Sequence, residues 1–401
     1  MQPQAHYQLP PEVAPLFGEI NDMDGHDNLP LNHWVDAYGS EVKEFAQTVR
    51  IGDSAFDVDK EFDDAEINSH NVWNLKLEKA PGAFDFGRRV EVLDFVGTKR
   101  QLMYPGSLGV FAGIFYSQAR DPKRYSSIGG DTKARRAYAR RLAKLYNEWC
   151  VRQTRQYSRL HAVALLIDET PEEMYASAKD LIDKGVRGFW FAVDEPPGGL
   201  SPAHPAHDPL WALLADTRTP VLAHIGMQDG VLQTWDWREA PAFKGWMEFS
   251  EASFDPFTKA TFHIAVQIFL STMITGGVFE RHPNLHFGSS EFGGMWVGPL
   301  CELLDYWHGV HHPLAKDRKL LSMKPSDYIR RNVRVSCMHR EPVGLYISRY
   351  GLEDVFCYGS DYPHHEGGKT PIEDFTRSLS GHSPDVLRKF FVDNAKDILA
   401  G

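Results

Sequence analysis

Eight short apolar segments, each followed by a polar turn and then by a helix-like segment, constrain the fold of this chain more than any other feature. Alternating strands and helices are typical of the α/β class, and eight such strands predict a closed (β/α)8 TIM barrel. A doubly wound open sheet is the competing interpretation. The candidate strands, rich in β-branched and aromatic residues, are 18–24, 100–106, 161–168, 188–194, 220–226, 285–291, 333–339 and 355–361.

Two segments between these strands carry clear helix signals. The sequence Thr-Pro-Glu-Glu at 170–173 can cap and start a helix, which we expect to end near Gly185. Residues 262–274 are apolar enough for a packed helix and are followed by Gly276 and Gly277.

The spacing of the strands predicts one large domain rather than two. We expect residues 1–17 to be an N-terminal extension and residues 18–401 to form a single barrel with long βα-loop insertions. Residues 35–80 lie between the first two strands and are predicted to form a lid. Residues 227–256 contain three tryptophans and are predicted to line a pocket.

Composition excludes several functional classes. A formal net charge of -11 and a pI near 5.9 argue against a nucleic-acid-binding protein, although the basic segment 133–146 is predicted to be a solvated amphipathic helix. We expect no membrane partner, because we find no apolar run near ~18 residues and no leader-like N-terminus. The cysteines are far apart, without a Cys-x-x-Cys pair, which predicts reduced thiols and a cytoplasmic location: Cys150, Cys301, Cys337 and Cys357.

Metal-type ligands stand at the ends of several predicted strands. Asp24 and His26 are two residues apart, so on an extended chain their side chains point the same way. His224, Glu291 and Asp361 end three later strands, and strand ends converge on one rim of a barrel. Carboxylates and imidazoles together suit Zn²⁺ or another divalent transition ion. The alternative for the first pair is a turn-capping Asp and a surface His.

Several motifs also resemble those of a known family. They are Asp-x-Asp-x-His before Pro30 and Trp34, His-Ile-Gly after a buried strand, GVFERHPNLHF followed by SEFGGMWVGP, and GSDYPHHEG. Together they resemble the amidohydrolase-related branch of the amidohydrolase superfamily, typified by aminocarboxymuconate semialdehyde decarboxylase. The resemblance implies a metal-bearing barrel, a homodimer, and the ligands Asp24, His26, His224 and Asp361.

Two positions depart from the family pattern. Asp24 stands where the family usually has His or Glu, which keeps a carboxylate-imidazole pair. Glu291 stands where decarboxylating relatives have His, so it could be a base, a ligand that draws in a second ion, or a salt-bridged rim carboxylate. We expect Asp361 to bind the ion and to accept a proton. Weaker candidates for substrate contacts are His364, His339, Arg340 and His263.

These features predict a metal-dependent hydrolase that acts on a carbonyl-type bond (amide, ester, thioester or C–C) of a small aromatic or apolar acid. Zn²⁺ is the expected ion, with Mn²⁺ or iron as alternatives and one or two ions per site. A metal-dependent non-oxidative decarboxylase is the second hypothesis. A non-catalytic barrel that binds a small molecule is the third.

Overall fold

Eight parallel strands form the centre of the molecule. The structure, a computed structural model, describes residues 6–52, 60–121, 127–227, 237, 240–243, 255–311 and 321–400. The strands pair in parallel in the order β1 to β8. They are β1 Ile20–Asp22, β2 Thr98–Met103, β3 Leu160–Leu165, β4 Gly188–Trp190, β5 Val221–His224, β6 Phe287–Ser290, β7 Val333–Ser336 and β8 Phe356–Cys357.

The first and last strands approach each other, so the sheet is nearly closed. The backbone N–H of Met23 donates to the carbonyl of Tyr358 at 3.0 Å, and that of His26 donates to the carbonyl of Tyr362 at 2.7 Å. Each of the eight predicted strands overlaps an observed one, so the predicted (β/α)8 barrel is confirmed and the open-sheet alternative is wrong.

Helices follow the strands and cover the outside of the barrel. Among the described residues they are α1 Trp34–Tyr38, α2 Lys43–Gly52, α3 Asn71–Asn74, α4 Phe86–Val96, α5 Leu108–Ser117, α6 Thr132–Thr154, α7 Pro171–Lys184, α8 Asp208–Asp216, α9 Pro256–Thr261, α10 His263–Thr275, α11 Val278–Arg281, α12 Val297–His311, α13 Pro325–Asn332, α14 Val343–Tyr350, α15 Pro371–Ser378 and α16 Pro384–Arg388.

The predicted helix signals act as expected in α7. The side chain of Thr170 accepts a hydrogen bond from the backbone N–H of Glu173 at 3.2 Å, which satisfies one free donor of the first turn. Gly185 ends the helix in the left-handed region, with φ of 115°. The basic segment 133–146 lies within α6, which buries Leu142 and leaves Arg141 exposed.

Side chains fill the inside of the barrel. A Cβ atom on Gly288 of β6 would lie 2.6 Å from the side chain of Leu222, and within 3.5 Å of Met23 and Ile398. These three side chains come from β5, from the segment after β1 and from the C-terminal segment. The interior is therefore a packed core, as in other barrels of this class.

The first insertion packs against the barrel instead of standing apart from it. Trp34 lies 5.8 Å from Phe111 between ring centroids, and Phe45 lies 5.5 Å from Phe115, so α1 and α2 cover α5. Residues 53–59 and most of the predicted pocket loop 227–256 lie outside the described residues. The role of either segment as a lid or a pocket wall stays a prediction.

One helical stretch is long and apolar enough to cross a membrane by length and composition alone. Pro256–Thr275, which spans α9 and α10, has a mean hydropathy of 1.2, and 33% of it is buried, including Val266, Leu270 and Ile274 in the core. The expectation that no apolar run approaches membrane-spanning length is therefore contradicted, and a single stretch of this kind is weak evidence for a membrane.

A pair of glycine substitutions tests the end of α7. We expect Gly185→Ala to lower the free energy of unfolding by about 1–2 kcal/mol, because Cβ is disfavoured at positive φ. Nothing lies within 4 Å of the added Cβ, so the cost is conformational. Gly129→Ala is the matched control, since it also has open space but no positive φ. Urea unfolding of both variants measures the difference. Equal stability of Gly185→Ala and Gly129→Ala would contradict the left-handed conformation of Gly185 at the end of α7.

Candidate active site

Six metal-type side chains meet at the carboxyl ends of the strands. β1 positions the first two, β5 and β6 position one each, and the segment after β8 positions the last two. All lie on the rim where barrel enzymes carry their active sites. They are Asp24, His26, His224, Glu291, Asp361 and His364.

Four of these side chains form a first compact set: Asp24, His26, His224 and Glu291. Their ligand atoms all lie within 4.8 Å of one another. Asp24 Oδ1 lies 3.2 Å from His26 Nε2 and 3.5 Å from His224 Nε2. Glu291 Oε1 lies 3.5 Å from His224 Nε2. One ion at the centre of this set can contact all four side chains.

A second set of four overlaps the first: His26, Glu291, Asp361 and His364. Asp361 Oδ1 lies 3.0 Å from His364 Nδ1 and 3.4 Å from His26 Nε2. The four ligands implied by the family resemblance are therefore divided, because Asp361 belongs to the second set. Glu291 and His26 belong to both, and Glu291 Oε1 lies 3.5–3.7 Å from nitrogen atoms of His26, His224 and His364. Its role as a base, as a ligand or as a salt-bridged carboxylate stays a prediction.

The donor atoms fit a divalent cation. Among the described residues, the facing atoms of Asp24, His26, His224, Glu291 and Asp361 are buried and have no hydrogen-bond partner. His224 Nδ1 lies 2.8 Å from the carbonyl of Ile225, which leaves Nε2 available as a ligand atom. Buried polar atoms without partners cost free energy. A cation bound to these atoms would remove that cost.

Burial and crowding move the pKa values of the carboxylates in opposite directions. Burial, followed by the negative charge of Glu291, raises the pKa of Asp361 well above its usual range. Burial also raises the pKa of Glu291, but the imidazoles of His224 and His364 together outweigh it and hold that pKa well below the usual range. Without an ion, the charge of one carboxylate therefore opposes ionisation of the next.

The pKa values of two of the histidines also move in opposite directions. Burial, and then the neighbouring His364, lower the pKa of His26 to about 4. Burial lowers the pKa of His224 too, but Glu291 and Asp24 together raise it well above the ordinary value. Without a metal ion, the carboxylates of Asp24 and Glu291 thus favour the protonated, cationic form of His224. A metal ion bound among these side chains would supply the positive charge instead.

The backbone is unusual at two of these side chains. Glu291 has φ of 60° and Asp361 has φ of 50°, a region that residues other than glycine seldom adopt. Gly359 precedes Asp361 by two residues, and a Cβ there would lie 2.0 Å from Ser336 Oγ and 2.8 Å from Asp24 Cβ. Close packing of the strand ends thus requires glycine at 359.

A buried carboxylate, Asp22, joins the ends of β1 and β8. Its Oδ1 accepts hydrogen bonds from the backbone N–H groups of Asp24 at 3.0 Å and Ser360 at 2.9 Å. Its Oδ2 accepts from Ser360 Oγ at 2.6 Å and from Gln101 Nε2 at 2.8 Å. Burial raises the pKa of Asp22 to about 6. Asp22 therefore holds together the segment after β1, which carries Asp24 and His26, and the segment after β8, which carries Asp361 and His364.

A buried arginine holds the next turn of the same segment. Arg89 of α4 donates to the carbonyl of His26 at 2.6 Å, to that of Gly82 at 2.7 Å and to Gln101 Oε1 at 2.9 Å. Gln101 in turn donates to Asp22. The backbone of His26 is therefore supported from both sides.

The weaker substrate-contact predictions differ in outcome. His364 lies in the second set, with its ring stacked 3.9 Å from that of His26. His339 is outside both sets and pairs through Nδ1 with Asp374 at 3.0 Å. Arg340 is exposed, and half-buried His263 starts α10 beside Phe262. The structure therefore does not bring His339, Arg340 or His263 into the ligand sets.

Two aromatic residues beside the site were missed by the sequence analysis. Tyr104, just after β2, lies 4.6 Å from the ring of His224, and Trp190, at the end of β4, lies 5.2 Å from it. Trp190 Nε1 donates to the His224 carbonyl at 3.1 Å. Both lie at the carboxyl ends of strands, which is the same kind of position that indicated the ligands. Aromatic residues at these positions therefore could have been predicted to lie beside the site.

The fold and the site define a barrel enzyme class with a carboxylate-imidazole metal centre, and comparison with known proteins agrees. Residues 118–400 match the family described as Amidohydrolase, which covers more than half of the chain. The chain belongs to this family, so the resemblance found in the sequence is confirmed. No curated protein matches it.

Solved structures of similar fold include both amidohydrolases and decarboxylases. An amidohydrolase from Mycobacterium avium subsp. paratuberculosis K-10 has a TM-score of 0.66 at 20% identity, covering 95% of this chain and 99% of its own. 5-Carboxyvanillate decarboxylase from Sphingomonas paucimobilis has 0.59 at 16%, covering 95% and 99%. 2,6-Dihydroxybenzoate decarboxylase from Rhizobium has 0.58 at 15%, covering 95% and 98%. At these identities the likeness concerns the fold.

Substitution of Asp22 tests whether it positions the ligands. We expect Asp22→Asn to lower the free energy of unfolding by about 2 kcal/mol. The NH₂ group of the asparagine would face N–H and O–H groups that now donate to the carboxylate. We also expect metal affinity to fall about tenfold to a hundredfold, because Asp24 and the segment of Asp361 lose their support. Calorimetric metal titration and thermal unfolding measure the two effects.

Asp305→Asn is the matched control. The carboxylate of Asp305 accepts hydrogen bonds from the backbone N–H and the hydroxyl group of Ser326, between α12 and α13 and away from the ends of β1 and β8. It should lower stability without the same loss of metal affinity. Unchanged metal affinity in Asp22→Asn would show that Asp22 has only a general structural role.

Proposed function

We propose that this protein is a metal-dependent hydrolase that acts on a carbonyl-type bond of a small molecule. The observation that supports the proposal most strongly is the charge of the two ligand sets. They contain three carboxylates, those of Asp24, Glu291 and Asp361, gathered within a few Å of one another. With one divalent ion, three ionised carboxylates leave this buried site with a net charge of -1.

That charge favours a neutral reacting group over an anionic one. A substrate carboxylate placed at the ion would add a further negative charge in a desolvated position. A carbonyl group and a water molecule add none. The geometry therefore supports hydrolysis better than a reaction in which a carboxylate must reach the ion.

Each side chain has a role that its position supports. A divalent ion in such a site polarises a carbonyl and acidifies water. Asp24, His26 and His224 would hold the ion, together with Glu291, which belongs to both sets. Asp361 is buried beside the ligand sets, and its Oδ1 lies 3.4 Å from His26 Nε2, so its carboxylate is placed to accept the proton of the attacking water. His364 Nδ1 lies 3.0 Å from Asp361 Oδ1 and can pass that proton on.

The similar structures suggest the kind of substrate. Among them are decarboxylases of 5-carboxyvanillate and of 2,6-dihydroxybenzoate. The rings of Tyr104 and Trp190 beside His224 are fully buried, so they pack against that ligand rather than against a substrate. We propose a small aromatic or apolar acid derivative, such as an ester, thioester, amide or β-dicarbonyl compound.

Non-oxidative decarboxylation of an aromatic acid is the second candidate. The similar structures include 5-carboxyvanillate decarboxylase and 2,6-dihydroxybenzoate decarboxylase. Three of the similar decarboxylase structures contain manganese. Manganese is therefore an alternative to our proposed Zn²⁺, since a set rich in carboxylates accepts either ion.

Two further properties are part of the proposal. We propose a homodimer on the basis of the family resemblance, and one barrel domain over residues 18–401. We also propose a cytoplasmic location, which is supported by free, buried thiols at all four cysteine positions.

Isotope and gas measurements separate the two reactions. The protein, loaded in turn with Zn²⁺ and Mn²⁺, is incubated with aryl esters, amides and thioesters and with hydroxybenzoic acids. Hydrolysis predicts one atom of ¹⁸O from labelled water in the acid product and no CO₂. Release of CO₂ with solvent deuterium at the ring carbon would instead establish the decarboxylase. Stable metal-free protein without either reaction would favour the binding barrel.

Two carboxylate-to-amide variants separate metal binding from proton transfer. Glu291→Gln should lose metal affinity by about tenfold or more and regain activity when metal is added, since it loses a charged ligand. Asp361→Asn should stay inactive at saturating metal, with a rate lower by about a hundredfold to ten-thousandfold, because it cannot accept the proton. Metal analysis after dialysis gives the number of ions per chain. A saturated but inactive Glu291→Gln would assign the proton to Glu291.

A further inference from the structure

A cavity opens at the end of the barrel opposite to the two ligand sets. It has a volume of about 520 Å³ and lies around the first residues of β2 and β3. β2 contains six residues. At roughly 3.3 Å per residue, its length places the cavity about 20 Å from the rim that carries the candidate active site. The cavity is therefore separate from that site.

The charges around this cavity are strongly unequal. Lys99, Arg100 and Arg159 line it, and Asp94 is the one acidic residue that does so. A second cavity of about 560 Å³, between α13 and the C-terminal segment, is lined by four basic and four acidic side chains. In a chain with a net charge of -11, a cavity with an excess of two positive charges stands out. Such an excess attracts anions.

A buried histidine faces the same cavity. His161 of β3 lines it, is only 3% exposed, and its Nδ1 has no hydrogen-bond partner among the described residues. Burial, and then the guanidinium groups of Arg100 and Arg187, lower the pKa of His161 to about 4. Nδ1 of this neutral imidazole remains short of a partner, and an anion in the cavity could contact both His161 and Arg100, which line it together.

The guanidinium group of Arg159 is held in place for such contacts. Its Nε donates to the carbonyl of Lys99 at 2.9 Å, Nη2 donates to that of Thr98 at 2.6 Å, and Nη1 pairs with Asp94. Arg100 is held by one bond, from Nη1 to the carbonyl of Leu399 at 3.1 Å. An arginine fixed in this way loses little entropy when it binds an anion.

The size of the cavity and its apolar wall narrow the ligand. Its volume is in the range of small-molecule sites and exceeds what an inorganic anion needs. Phe17 and Leu93 line one side of it. Two arginines suit the oxygens of a phosphate group, and the apolar side chains suit an organic group attached to it.

We propose that this cavity is a second ligand site, distinct from the candidate active site, that binds a small phosphate ester through Arg100, Arg159 and His161. Phe17 and Leu93 contact the organic part of the ester. The site takes no part in the proposed reaction at the rim.

Calorimetric titration of the full-length holoprotein tests the proposal. Phenyl phosphate and inorganic phosphate are the probes, at constant ionic strength set with NaCl. We expect saturable binding of both, with the ester tighter, and a loss of affinity for both of about tenfold to a hundredfold in Arg100→Gln, since one hydrogen bond to a charged group is lost. Phe17→Ala should weaken binding of phenyl phosphate only.

The control variant comes from the cavity between α13 and the C-terminal segment, which is lined by equal numbers of basic and acidic side chains. Lys389→Gln removes a positive charge there and should leave phosphate binding unchanged. Lys99→Gln, an exposed change, gives a second test if Arg100→Gln is poorly folded, and should weaken binding of both probes. Equal affinities in wild type, Arg100→Gln and Lys99→Gln would overturn the proposal and place any bound phosphate elsewhere, including at the metal. Absence of saturable binding would overturn it as well.

Discussion

The arrangement of the rim depends on one buried carboxylate, Asp22, that ties the first strand to the last. A barrel closes only where β1 meets β8, and here β8 is two residues long, so the ladder between them is short. Asp22 accepts hydrogen bonds from both chain segments beyond the strands. It therefore supplies the joint that backbone pairing alone supplies weakly, and Asp24 and Asp361 are fixed on either side of it.

That joint has a direct chemical consequence. Strand ends that are held firmly can carry side chains in positions that a flexible loop would not keep. Glu291 and Asp361 both have left-handed backbone conformations, which cost free energy, and three carboxylates share one buried space. Neither feature stabilises the folded protein by itself. Both are understandable if the rest of the barrel holds them ready for a cation.

The sequence predicted the fold and most of the rim because both follow from local patterns. Apolar segments of strand length separated by helix signals define the barrel, and a polar residue at the end of a strand must lie at the rim. Position around the rim is different, because it depends on how far each strand end rises and turns. Sequence spacing therefore could not show that Asp361 pairs with His364, or that Glu291 reaches both ligand sets.

The directions of strand-end side chains are hard to predict for the same reason. His339 follows β7 as directly as His224 ends β5, yet its Nδ1 pairs with Asp374 of α15, and its contact with a substrate stays a prediction. A strand-end residue can point to the rim or to the neighbouring helix, and one residue of extra chain changes the direction. Tyr104 and Trp190 were missed because aromatic residues at strand ends look the same as core residues in a sequence.

The two ends of the barrel also differ in the charge that they bury, and this difference follows from how a parallel barrel is built. At the rim the strands end in carboxylates, which gather negative charge around a place suited to a cation. At the opposite end Lys99 and Arg100, near the start of β2, and Arg159, just before β3, gather positive charge around a cavity. Because the packed interior lies between them, each end can acquire its own ligand without disturbing the other. The same eight strands thus support two sites of opposite sign.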